Sequence, residues 1–407
     1  MQRHSRTFAV IILIIILMIA FSQCVHETTA FTDGRGKEYA GASKCISCHK
    51  NIYESYINSA HFITTTPASK ETVKGSFNPD SNTYYYRPEL KVSMENRDTG
   101  LYQVAYLNGT ERKAARFDIV FGSGRKGQSF VYWYKDHILQ LPVSYYVPEK
   151  SWVNSPNYPP HNVKFDRNVT IGCFECHASY INKTSETVAN EEPVDHFDRD
   201  NIIYGIDCER CHGPAATHVD FHEKNPEEKK AAFIAGSKNL SRDGKTAMCA
   251  VCHSGSTQTM QVPFNYKPGD KLSTYIYPSR EPINNADAEV HGKQYQLLYA
   301  SKCFIKSPLL NCSSCHNPHI KERDDPALFS RKCMNCHNTT GHKFCSMTSL
   351  VGPSIINNCI DCHMPAKSSK IITVKSQINT TAIPALVRTH FISIYPAESE
   401  RFLSRKK

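Results

Sequence analysis

The chain has 407 residues, 48 Lys and Arg against 38 Asp and Glu, a formal charge of +10 and a mean hydropathy of −0.45. No basic tract with interleaved aromatic residues accompanies the positive charge, so nucleic-acid binding is excluded as its explanation. Cysteine and histidine are abundant, at 17 and 19 residues, and direct attention to thiol and metal chemistry.

At the N-terminus, Arg3, His4 and Arg6 precede an unbroken apolar run of fourteen residues, Phe8 to Phe21. That is the length of a signal-peptide core and short for a membrane span, so residues 1–23 read as an export signal. Cys24 follows in Phe21-Ser22-Gln23-Cys24, which is similar to the lipobox of bacterial lipoproteins, although Phe21 and Gln23 depart from the usual pattern. Cleavage near Thr28-Thr29-Ala30 and an uncleaved anchor are the alternatives. Residues 24–40 read as a linker.

Cys45 then opens the first of seven copies of Cys-x-x-Cys-His; the others begin at Cys173, Cys208, Cys249, Cys312, Cys333 and Cys359. Random placement at this composition would give ~0.03 copies. The motif is the attachment signature of haem c: two thiols add across the porphyrin vinyl groups and the adjacent histidine binds iron from one face. The attaching thiols are Cys45, Cys48, Cys173, Cys176, Cys208, Cys211, Cys249, Cys252, Cys312, Cys315, Cys333, Cys336, Cys359 and Cys362. Cys-x-x-Cys is also zinc spacing, but zinc does not require a histidine next to the second cysteine each time. Seven covalent haem c groups are therefore expected, and since haem is attached outside the cytosol, the protein is expected in the periplasm or at the cell surface, with Cys24 as a candidate lipid anchor.

The motif spacings of 128, 35, 41, 63, 21 and 26 residues exclude a fixed-period solenoid. Residues 41–75 form a first haem segment with a short helix over Ile52–Ala60. Residues 76–167 carry no motif. Here Tyr84-Tyr85-Tyr86, Tyr102 to Leu107, Phe117 to Val120 and Phe130 to Tyr134 are β-branched and aromatic runs, broken at Asn108-Gly109 and Gly122-Ser123-Gly124. They predict a small antiparallel β insert. The Gly122–Gly127 stretch lacks the Gly-Lys-Ser/Thr ending of a phosphate loop and reads as a hairpin turn. Residues 168–400 form a six-haem domain with helices expected from Pro226 to Ala232 and from Gly292 to Ser301, and residues 401–407 are a basic tail. The expected fold is mainly α and irregular, with the core built on stacked haems.

His49, His177, His212, His253, His316, His337 and His363 are proximal ligands by position. Outside the export segment ten histidines remain: His61, His137, His161, His196, His218, His222, His291, His319, His342 and His390. His61, His161, His196, His218, His291, His319, His342 and His390 are the candidates for the opposite, distal positions. His319 follows His316 by only three residues, a turn too short to wrap a porphyrin, so His319 should reach a neighbouring haem; the same holds for His218 after His212 and His342 after His337. Met364 adjoins His363 and cannot reach the far face of the same ring, so bis-His ligation and low potentials are expected. Cys303 and Cys345 lie outside the motifs and could form a disulfide. The charge of +8 left without Arg3 and Arg6 becomes roughly +1 with seven ferric haems and roughly −6 with ferrous ones, so the basic residues serve mainly to neutralise propionates.

Tyr39 to His49 followed by Ser59-Ala60-His61 resembles the opening of the cytochrome c-554 (cytochrome c-552/4 domain) multihaem family, and Gly205 to Pro214 with His218 resembles its second signature. His291-Gly292, Ser301 to Phe304, Cys315 to His319 and Cys362 to Pro365 are similar to blocks of larger relatives. The resemblance implies stacked, mainly bis-His haems passing electrons outside the cytoplasm, and it makes His61, His218, His291 and His319 the leading distal residues. Redox partner proteins or a membrane quinol-linked donor would be the partners. Related multihaem enzymes act on nitrite or hydroxylamine at one haem with an open position, so the alternative is an oxidoreductase of that type, its open haem near Cys173–His177; no residue is assigned a catalytic role. A third reading is an assembly module with the β insert as its interface.

Overall fold

The computed structural model describes residues 33–185, 194–236, 239–255, 258–277, 288–322, 325–338, 344–377 and 382–404. The export signal, Cys24, His342 and residues 405–407 of the basic tail lie outside them.

The expectation of a mainly helical chain is overturned: about 30% is helix and 28% strand. In chain order the strands are β1 (Thr65–Pro67), β2 (Thr83–Arg87), β3 (Leu90–Arg97), β4 (Gly100–Leu107), β5 (Thr110–Arg116), β6 (Ile119–Phe121), β7 (Gly127–Tyr134), β8 (His137–Gln140), β9 (Val143–Tyr146), β10 (Ser151–Asn154) and β11 (Arg167–Asn168). They are followed by β12 (Ala178–Ser185), β13 (Asp195–Tyr204), β14 (Gln258–Thr259), β15 (Ile276–Tyr277), β16 (Ala366–Val374) and β17 (Ile383–Arg388).

Strands β2 to β5 form an antiparallel meander, and β1 with β6 to β11 forms a seven-stranded sheet in which β6, β7 and β8 are central. The two sheets share one core: Tyr84, Val92, Met94 and Ala105 from the meander pack with Val120, Phe130, Tyr132 and Leu139 from the larger sheet, around Phe117 and Trp152. Successive residues of a strand point to opposite faces. Ile119, Phe121, Val131 and Ile138 therefore face away from that core and build a second one with Phe174, Ala178, Ile181 and Phe197. Gln103 is fully buried and joins the sheets, its amide donating to Val143 O at 2.6 Å and accepting from Val143 N at 3.0 Å.

β structure also extends beyond the insert on both sides. β1, from the first haem segment, pairs with β6, and the hairpins β12–β13 and β16–β17 lie among the later motifs. Non-local pairing partners, rather than local pattern, decide these strands. The helix expected at Pro226–Ala232 is absent. The helix lies upstream, at Ala216–Lys224, and stops before Pro226, whose ring cannot sit inside a continuing helix. The expected Gly292–Ser301 helix is shorter, Gln294–Tyr299, and the Ile52–Ala60 helix is the end of a longer one, Ala42–Tyr56. Among the described residues, no helix is long and apolar enough to cross a membrane.

Candidate haem sites

Each haem motif occupies about one helical turn, so its two thiols, three residues apart, share a face. The helices Ile171–His177, Cys208–His212, Arg242–His253 and Ile360–His363 all end on the motif histidine. In Ala42–Tyr56 the motif histidine, His49, leaves helical geometry at φ −113° and ψ 35°. Asp207 caps the third motif by accepting from Arg210 N at 2.8 Å, and Ser241 caps the fourth by accepting from Gly244 N at 3.1 Å.

The motifs meet one another through their sulfurs. Cysteines of different motifs adjoin in pairs: Cys45 with Cys208, Cys176 with Cys252, Cys249 with Cys312, and Cys333 with Cys359. These contacts, reinforced by burial, push Cys45, Cys176, Cys249 and Cys333 up. They draw Cys208, Cys252, Cys312 and Cys359 down. Cys211 interacts with Cys252, and Cys315 with Cys333, so the seven motifs form one connected chain of neighbours. Cys303 and Cys345 are free thiols at different places, Cys303 near Cys336 and Cys345 near Cys362.

Four pairs of imidazoles face one another between motifs. His49 and His218 have ring centroids 6.5 Å apart and nearly parallel planes (13°). His212 and His319 stand 5.9 Å apart at 11°. His61 and His253 stand 6.1 Å apart at 85°, and His316 and His390 6.2 Å apart at 31°. Two metal–nitrogen bonds of about 2 Å, with ~1.1 Å from each nitrogen to its ring centre, place opposed imidazoles on one ion ~6 Å apart. Every pair joins a motif histidine to a non-motif histidine. His218 and His319 lie opposite motifs other than the ones they follow.

The remaining histidines sit as follows. His291 is within electrostatic reach of His177, whose ring is edge-on to Phe121 at 5.7 Å. His222 packs on His218 at 4.6 Å. His196 lies with Asp136 and His137, and His161 is exposed on the 155–166 loop. His337 and His363 take no part in the four pairs.

The surroundings suit iron and porphyrin. Burial lowers His177 and His390 to about 4 and also depresses His49, His291 and His319, so these rings are held neutral, the form that binds metal. Nδ1 is engaged by Ala235 O in His212, Ala232 O in His218 and Ser393 O in His363, at 3.1, 2.7 and 2.8 Å, which leaves Nε2 for the ligand role. Leu309 and Ile394 are bare apolar side chains near motifs, 80 and 72% exposed, and a porphyrin face would cover such surface.

Residues 155–213, spanning the second and third motifs, match the family described as "Cytochrome c554 and c-prime". That match supports a c-type cytochrome. No curated protein matches the chain. Among solved structures, "Outer Cell Wall Cytochrome OcwA" is similar in fold, with a TM-score of 0.52 and 15% identity over 89% of this chain and 81% of that one.

Sequence reasoning missed the residues that dock the cytochrome's first three motifs together. Arg35 makes ion pairs with Asp33, Asp207 and Glu209 at 2.8, 2.6 and 3.3 Å, all four side chains at most 5% exposed. Glu209, between the cysteines of the third motif, accepts from Ala40 N, Gly41 N and Ala215 N at 2.9, 2.9 and 2.8 Å, gripping the entry to the first motif. Its neighbour Arg210 donates to Pro263 O at 2.8 Å and to Glu175 O, inside the second motif, at 3.1 Å. Adjacent opposite charges in the variable positions of one motif were the available signal.

Proposed function

We propose that the cytochrome is an extracytoplasmic electron carrier. It would hold seven haem c groups on its seven motifs, with His61, His218, His319 and His390 as distal ligands to the haems of His253, His49, His212 and His316. Haem supplies reversible one-electron chemistry, and bis-His ligation favours low potentials. The observation that carries this reading is the set of four imidazole pairs at ligand spacing, each joining a motif histidine to a histidine outside its own motif. Contacts of that kind suit hopping from haem to haem. Redox partner proteins or a membrane quinol-linked donor would supply electrons. The export-signal reading of residues 1–23, with or without lipidation at Cys24, and the outer-cell-wall name of the similar structure support a location outside the cytoplasm.

Mass spectrometry of protein matured in a host competent for haem attachment tests the cofactor count: the polypeptide should be heavier by seven haems. Electron paramagnetic resonance of the oxidised protein should be dominated by low-spin iron. A polypeptide of bare mass, or one carrying zinc at the motifs, rejects the reading. A high-spin signal that shifts with nitrite or hydroxylamine would instead favour an oxidoreductase.

A further inference from the structure

One cluster of potential metal ligands stands apart from the haem motifs. The β7–β8 hairpin closes on the pair Tyr134 and His137 and turns through Lys135 and Asp136. β13 crosses this turn, with Phe197 N donating to Asp136 O at 2.8 Å, which brings His196 beside it. The Asp136 carboxylate meets His196 Nδ1 at 2.7 Å through one oxygen and His137 Nε2 at 3.5 Å through the other. The imidazole centroids are 4.2 Å apart. One donor atom from each of the three residues lies within 4.8 Å of the others, the only such grouping among the described residues.

A simple Asp136–His196 ion pair would account for two of these side chains and leave His137 unexplained. One His137 nitrogen is beyond good hydrogen-bond distance from the carboxylate, and the other, Nδ1, is buried with no partner. An ion beside the Asp136 carboxylate would give His137 a ligand role that the Asp136–His196 pair leaves open. Calcium and magnesium demand more oxygen ligands than one carboxylate supplies. Two imidazoles and a carboxylate are the donor set of borderline divalent transition ions.

We propose that Asp136, His137 and His196 bind a divalent transition ion of the zinc or copper type, separately from the haem irons. The ion would tie the hairpin tip to β13 and bracket residues 137–196, the segment that contains the second haem motif. The whole haem-loaded protein, stripped of loose metal and dialysed against micromolar Zn²⁺, should retain one zinc per chain by mass spectrometry of the elements. His137→Gln and His196→Gln should each weaken retention at least tenfold, with the haem absorption spectrum unchanged. Cu²⁺ bound to the oxidised protein should show nitrogen splitting from two imidazoles, reduced to one in either variant. No stoichiometric zinc, or equal retention in both variants, overturns the proposal. A haem spectrum altered by His196→Gln does so too, because it would make His196 a haem ligand.

Discussion

At the residue scale the pairing of histidines is the sharpest consequence. His319 stands opposite His212, although it follows His316 by three residues. His319→Met should raise the potential of one haem, since thioether ligation raises it. That haem should persist in potentiometric titration when Cys312 and Cys315 are both changed to Ser; its disappearance with the fifth-motif haem would break the pairing. Arg35 carries a second expectation. Hydrogen bonds to Asp33 and Asp207 hold its pKa up against burial, and three buried carboxylates depend on it. Breaking a buried pair by removing one partner costs about 3–5 kcal/mol. Arg35→Met should therefore lower the denaturation midpoint markedly, whereas Arg97→Met, at an exposed ion pair with Glu111, should barely move it.

At the element scale, the short helix of the second motif is held by a residue between its two cysteines. Phe174 is fully buried, 5.0 Å from Phe121 and 5.4 Å from Phe197 by ring centroid, and it anchors the helix on the outer face of the large sheet. The Thr65 hydroxyl donates to His177 O at 2.6 Å, joining the same helix to β1. Phe174→Ala should cost about 3–5 kcal/mol, seen in denaturant melts and as faster hydrogen exchange in β12 and β13. Gly205 is a second fulcrum. At φ +62° a Cβ there would lie 1.9 Å from Phe62 O, and Ile206 N donates to His61 O at 3.0 Å. Gly205→Ala should displace the 61–62 segment and alter the spectrum of the haem facing His61 and His253; an unchanged spectrum would show that the segment absorbs the clash.

At the scale of the molecule, apolar burial is uneven. The two large clusters draw on the sandwich and the β12–β13 region, and among the described residues beyond 288 the buried apolar Val290, Leu297, Phe304, Ile355, Ile360 and Tyr395 lie outside both. Val374 and Ile383 lean on Tyr146 and Val153 of the sandwich. Polypeptide expressed without haem attachment should keep a protease-resistant core over roughly residues 65–168 and lose the segment after 288 first. Uniform digestion would mean that the later motifs fold without porphyrin.

The sequence alone pointed to haem c chemistry, because the attachment signature is written in five consecutive residues. It also showed β2, β4, β6 and β7, where β-branched and aromatic runs stand out, but not the more polar β3 and β5 that pair with them. The tertiary structure decided what depends on residues far apart in the chain. It recruited β1 into the large sheet and set the hairpins β12–β13 and β16–β17 among the motifs. It buried the large sheet on both faces, set His218 against His49 and His319 against His212, and placed His196 beside Asp136. Ligand pairing requires two rings to meet through space at one spacing, and strand pairing requires a partner; neither condition is a property of local sequence.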